Sequence, residues 1–139
     1  MRVTVFDIVT GEVSADVREA PDLDPVPHLD GQPLHGVRVY RIEDRGEVEL
    51  QLVEIAAGGD YVLHSSPKLA FCHVVHGRGK LGLPTGRALD YVGPETYVFH
   101  PGTLHDWHDI EEDTLLAVAI VPDGVTPDMA VRSDGDSDG

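Results

Sequence analysis

Short runs of alternating apolar and polar residues dominate the middle of this chain. In EVELQLVEI (47–55), Val48, Leu50 and Leu52 alternate with Glu47, Glu49 and Gln51, the clearest period-two signal present. That period puts successive side chains on opposite faces of a strand. VRVYRIE (37–43) alternates Val37 and Val39 with Arg38 and Tyr40. Further β-type runs are YVLH (61–64), KLAFCHVV (68–75), GKLGL (79–83), RALDYV (87–92), TYVFH (96–100), LHDWH (104–108) and TLLAVAIV (114–121). Gly58-Gly59, Gly77-Arg78-Gly79, Pro84-Thr85-Gly86, Gly93-Pro94 and Pro101-Gly102 punctuate them. No amphipathic helix of useful length is visible. Many short strands at a spacing of about 8–12 residues predict an all-β jelly-roll sandwich or barrel over residues 37–122.

The ends read differently. Residues 1–15 hold one strand-like stretch, with Val3, Val5 and Ile8 in VTVFDIV, and residues 16–36 hold Pro21, Pro25, Pro27 and Pro33 among acidic residues. Residues 1–36 are therefore expected to form a strand followed by an extended, irregular arm. An unpaired apolar strand is an aggregation hazard. Pairing with a neighbouring subunit's sheet would cover it, so a homodimer is expected. The stretch 123–139, ending in SDGDSDG, reads as an acidic disordered tail.

Composition narrows the possible partners. The 139 residues carry 25 acidic against 10 basic side chains, a formal charge of -15. Nucleic acid and anionic membrane would both be repelled by that surface. No apolar run approaches the roughly 18 residues of a spanning helix, and the N-terminus lacks a signal-peptide pattern. Cys72 is the single cysteine, so no intramolecular disulfide forms. A cytoplasmic protein that takes a small-molecule substrate is expected. Sixteen of the acids are Asp, and Lys68 and Lys80 are the two lysines. Either a salt-adapted, halophilic surface or a codon bias that replaces Lys with Arg produces that balance.

Candidate chemistry lies in the histidines. Six of the eight, His64, His73, His76, His100, His105 and His108, fall within 45 residues of chain. Imidazole is the commonest transition-metal ligand and titrates near neutrality. Any one of these histidines taken alone is more simply a surface residue.

Over residues 47–122 the sequence resembles the cupin superfamily. Gly59, His64-Ser65-Ser66, Ala70 and His76-Gly77-Arg78-Gly79 follow that family's first motif, and His100-Pro101-Gly102-Thr103-Leu104-His105 with Asp109 follows its second. The resemblance implies a small barrel with one divalent transition metal in its mouth (Fe, Zn, Ni, Cu or Mn). It assigns His64 and His105 as ligands. Ser66 stands where a second histidine is expected and Ala70 where a glutamate is expected. A weaker resemblance, to ectoine synthase, rests on the spacing of Tyr97 and His105 in PETYVFHPGTLH and implies that Tyr97 is a third ligand.

Strand parity adds to this. If position 70 faces the barrel, so do Cys72 and Val74, while His73 faces out; if His105 faces in, so do Trp107 and Asp109, while His108 faces out. The expected site is thus His64, His105 and Tyr97 at a metal, Tyr97 and Cys72 as catalytic groups, and Ser66 and Trp107 against the substrate. The leading expectation is a metal-dependent enzyme of lyase, cyclase or isomerase type. The alternatives are a non-haem iron dioxygenase and a non-catalytic small-molecule-binding cupin.

Overall fold

The computed structural model describes residues 1–122, so the expected tail lies outside the described residues. Every regular element there is a strand. β1 (Arg2–Val9) and β2 (Glu12–Glu19) form a hairpin, and three two-residue strands follow: β3 (Asp24–Pro25), β4 (His28–Leu29) and β5 (Gln32–Pro33). The body is β6 (His35–Arg45), β7 (Val48–His64), β8 (Leu69–Gly82), β9 (Ala88–Val92), β10 (Glu95–Phe99) and β11 (His105–Val121). Its sheet runs β10-β8-β11-β7-β6-β3, with β9 also on β8.

Three strands are much longer than the apolar runs suggested, because each serves both layers of the sandwich. The first half of β7 pairs with the second half of β11, from Ile55 opposite Thr114 to Glu49 opposite Ile120. The far end of β7 pairs with the start of β11, where His64 lies opposite His105. Register shifts between Trp107 and Thr114 mark the crossing from one layer to the other. In β8 the crossing is at Gly77, whose φ of +115° suits glycine and where an added Cβ would strike Thr114. Ile55, Val74 and Leu116 from one layer meet Leu81, Tyr91 and Trp107 from the other in a single buried cluster. The arrangement is an all-β jelly roll.

Two expectations need correction. The N-terminal strand is not alone: β2 folds back on it across a two-residue turn, Thr10-Gly11, with φ of 49° and 81°. Positive φ at both turn residues matches the right-handed twist of the paired strands. The second correction concerns the alternation in β7. The barrel face of this strand carries Glu49, Gln51, Val53 and Ile55, so the apolar series Val48, Leu50, Leu52 lies on the outer face. On that outer face Leu50 is exposed and Val48 half-buried, whereas Leu52 is buried.

Candidate functional site

A cavity of about 580 Å³ opens between the two layers. Its walls are mainly apolar, built by Val39, Val53, Ala70, Leu116 and Val118 from the larger layer and by Tyr61, Phe99 and Trp107 around the mouth. The antiparallel register that sets His64 opposite His105 brings both imidazoles to this mouth. Their ring centroids are 4.3 Å apart. The Tyr61 ring lies 4.3 Å from that of His64, tilted by 38°, and Phe99 lies flat on His105 at 3.8 Å with the planes 2° apart.

The hydrogen bonds fix the tautomers. Nδ1–H of His64 donates to the Val62 carbonyl at 2.7 Å, and Nδ1–H of His105 donates to the Thr103 carbonyl at 3.1 Å. A carbonyl oxygen only accepts, so each Nδ1 carries a proton and each Nε2 keeps its lone pair. Burial pulls the His105 titration down to about 4, helped by the neighbouring His64 and opposed by the Thr103 carbonyl and by Asp106. Burial also lowers His64. Both rings are therefore neutral bases at pH 7.

The other expected residues are placed as follows. Ser66 lines the mouth and its hydroxyl accepts the Lys68 N–H at 3.0 Å. Cys72 is buried in the cavity wall, and burial pushes its thiol up to about 12, so it is not a thiolate. Trp107 is buried and edge-on to both Tyr91 and His105. Tyr97 faces inward but is absent from the cavity wall. Its hydroxyl donates to Glu95 Oε2 at 3.0 Å, while Glu95 Oε1 accepts the Val92 N–H at 2.7 Å. Burial, then Glu95, pushes the Tyr97 phenol up to about 12. His73 is exposed and bonded to Thr96; His108 is half-buried and paired with Asp106 at 2.8 Å. Asp109 departs from the expected parity. It adopts φ of 48°, next to a register shift in β11, so it is exposed and Ile110 is buried instead.

Sequence reasoning missed two parts of the site. Phe99 was legible, because it lies two residues beyond the inward Tyr97 on β10. The polar end of the cavity was not. Arg41, Glu49 and Gln51 line it, with Asp30 and Gln32 from the β4–β5 turn region. Gln51 donates to Glu49 at 2.9 Å, and Arg41 donates to Asp44 at 3.1 Å.

No protein-family profile and no curated protein sequence matches the chain. Solved structures do. A cupin domain of Schizosaccharomyces pombe Cnp3 superposes with a TM-score of 0.65 at 8% identity, covering 88% of each chain. An RmlC-like cupin from Shewanella frigidimarina gives 0.63 at 12% identity, over 87% of this chain and 95% of that one. The fold is that of the cupins. The polyketide cyclase RemF from Streptomyces resistomycificus is another neighbour, with a TM-score of 0.60, 16% identity and coverage of 81% and 82%.

The metal that the cupin resemblance implies can be tested against this donor set. His64 and His105 are suitable in tautomer, since a ligating imidazole usually donates its other N–H to a carbonyl or carboxylate. A catalytic centre normally has three protein ligands. Ala70 and Phe99 occupy the wall beside the pair and offer no donor atom. Among the described residues, no three of His, Cys, Asp and Glu stand close enough to hold a metal ion. Two neutral imidazoles alone do not fit a resident metal centre in this barrel.

Proposed function

We propose that the barrel binds a small, uncharged, largely apolar molecule and holds its polar group at the His64–His105 pair, where Nε2 of either ring accepts a proton and returns it. The observation that carries this reading is the pair itself: two neutral imidazoles with fixed tautomers, facing each other at the mouth of an apolar cavity. Apolar walls with a few convergent polar groups are the usual build of a small-molecule site.

The charges argue for an uncharged ligand. Among the described residues lining the cavity, Arg41 is the one Lys or Arg, and it is tied to Asp44, while Asp30 and Glu49 are acidic. A carboxylate would leave water for a site with no free cation to receive it. A hydroxyl compound suits the pair better, because each bare Nε2 accepts a hydrogen bond and a hydroxyl can donate one. A neutral imidazole near such a group acts as a general base, typically contributing about 10²–10⁴-fold. That fits a lyase, isomerase or cyclase step that moves one proton, the class named for the neighbouring polyketide cyclase.

Metal-dependent versions of the same chemistry, an iron dioxygenase included, need a third donor. The Tyr97 hydroxyl is already engaged by Glu95. The test uses Trp107, the single tryptophan, as reporter within the cavity wall. Cyclohexylmethanol should shift its fluorescence, and cyclohexanecarboxylate should bind at least about tenfold more weakly. Metal should stay substoichiometric after reconstitution with Fe, Zn, Ni and Mn in turn. Stoichiometric metal that disappears in His64→Ala and His105→Ala would overturn the metal-free reading.

A further inference from the structure

The cavity has two polar ends, and the proposed function uses one of them. Its larger layer is lined by two rows of inward side chains that the strand register lays side by side. The first row runs Phe99, Ala70, Ile120, Glu49 across β10, β8, β11 and β7. The second runs Cys72, Val118, Gln51, Arg41 across β8, β11, β7 and β6. All of these residues line the cavity. Phe99 holds the His105 ring flat against it at 3.8 Å. The first row therefore starts at the imidazole pair, passes over apolar wall and ends on a carboxylate. Three strand steps separate Phe99 from Glu49, about 14 Å of sheet.

Glu49 and Gln51 stand two residues apart on β7, share its inner face and are both half-buried. Gln51 Nε2 donates to Glu49 Oε2 at 2.9 Å. A carboxylate only accepts, so this bond fixes which end of the amide is nitrogen. Among the described residues, Glu49 Oε1, Gln51 Oε1 and the second Gln51 N–H make no further hydrogen bond. Two acceptors beside a donor match a hydroxyl, which gives one hydrogen bond and takes another. An ammonium gives three and takes none, and it would enter beside the Arg41 guanidinium.

We propose that the ligand is an elongated alcohol with a hydroxyl at each end. One hydroxyl meets the Nε2 atoms of His64 and His105, the other meets Glu49 and Gln51, and the carbon chain lies on Ala70, Cys72, Ile120 and Val118. This rests on the histidine pair as the first polar anchor and goes beyond it by assigning the second. The span sets the length. About 14 Å of sheet, less a hydrogen bond of about 2.8 Å at either end, leaves roughly 8 Å between the two ligand oxygens, which a chain of about six carbons bridges. The cavity of about 580 Å³ also admits a bulkier middle, so its ends select the spacing of the hydroxyls rather than the shape of the chain.

The test compares 1,6-hexanediol with 1-hexanol, both read by Trp107 fluorescence. They differ by one hydroxyl, and 1-hexanol is the more apolar, so burial alone favours it. The diol should nevertheless bind the wild type about tenfold more tightly, the effect of hydrogen bonds to a charged group. In Glu49→Leu and in Gln51→Leu that ratio should fall to one or below. Both alcohols are compared within one protein, so a general loss of affinity does not imitate this, and the wild-type ratio decides alone if a variant fails to fold. A wild type that binds both alcohols equally refutes the second anchor and leaves the histidine reading standing. A wild type that binds neither refutes both. A diol preference that survives both substitutions, or 6-amino-1-hexanol binding more tightly than the diol, also overturns the proposal.

Discussion

Holding His105 as a buried neutral ring should make this protein lose stability as pH falls below about 6.5. The ring is buried, stacked on Phe99 and faced by a second imidazole, and its titration falls from 6.5 to about 4. In the unfolded chain it takes up its proton near pH 6.5, in the folded chain only near pH 4. Between those values the unfolded state binds more protons, so stability rises with pH there. The contribution is complete above pH 6.5 and is lost as pH falls through about 4. The separation is worth about 3 kcal/mol, a large part of the roughly 5–15 kcal/mol that holds an ordinary domain together. His105→Asn keeps a donor for the Thr103 carbonyl and removes the titration. Urea unfolding of both proteins from pH 7.5 to 4.5 isolates this group from other acid-labile ones. The wild type should lose about 2–3 kcal/mol more than the variant over that range. A difference between the two proteins that stays constant with pH would refute the burial argument, and with it the neutral pair.

Thr114→Val should cost about 1–3 kcal/mol in urea unfolding. Thr114 Oγ1 donates to the Glu112 carbonyl and accepts the Tyr91 hydroxyl at 2.6 Å, so the substitution strands a buried phenol. Gly77→Ala should prevent folding or cost several kcal/mol, because β8 crosses between layers there at φ +115° against Thr114; an unchanged melting temperature would show that the crossing tolerates a Cβ. Melting temperature should rise from dilute buffer to 1 M KCl, where screening shortens the Debye length to about 3 Å and relieves the repulsion of a -15 chain. A flat or falling curve leaves codon bias as the better explanation of the acidic surface.

The fold was legible because a β-sandwich writes its strands as short apolar runs between glycine and proline turns. What the runs hid was their continuity. KLAFCHVV and GKLGL are one strand, joined through His76-Gly77-Arg78, because a strand that crosses between layers changes its buried face and interrupts its own alternation. The same effect concealed Asp109, where positive φ reverses the parity that His105 and Trp107 set. β2 was obscured for another reason. Its apolar residues, Val13, Ala15 and Val17, face solvent in the single chain and are diluted by Ser14, Asp16 and Arg18, although Thr10-Gly11 marks the turn. The histidine pair was visible through the motif resemblance. Its chemistry was not, because the neutral state depends on Phe99, the Thr103 and Val62 carbonyls and the burial that only folding brings together.

Long-range ¹H–¹⁵N correlation of the imidazole nitrogens tests the central claim most directly. At pH 7 His64 and His105 should each show a protonated Nδ1 and a bare Nε2. Adding cyclohexylmethanol, whose hydroxyl can donate to a bare nitrogen, should move the Nε2 signals and leave the Nδ1 signals in place. A doubly protonated ring at pH 7, an Nε2 shift typical of metal ligation, or Nε2 signals indifferent to the alcohol would contradict the account.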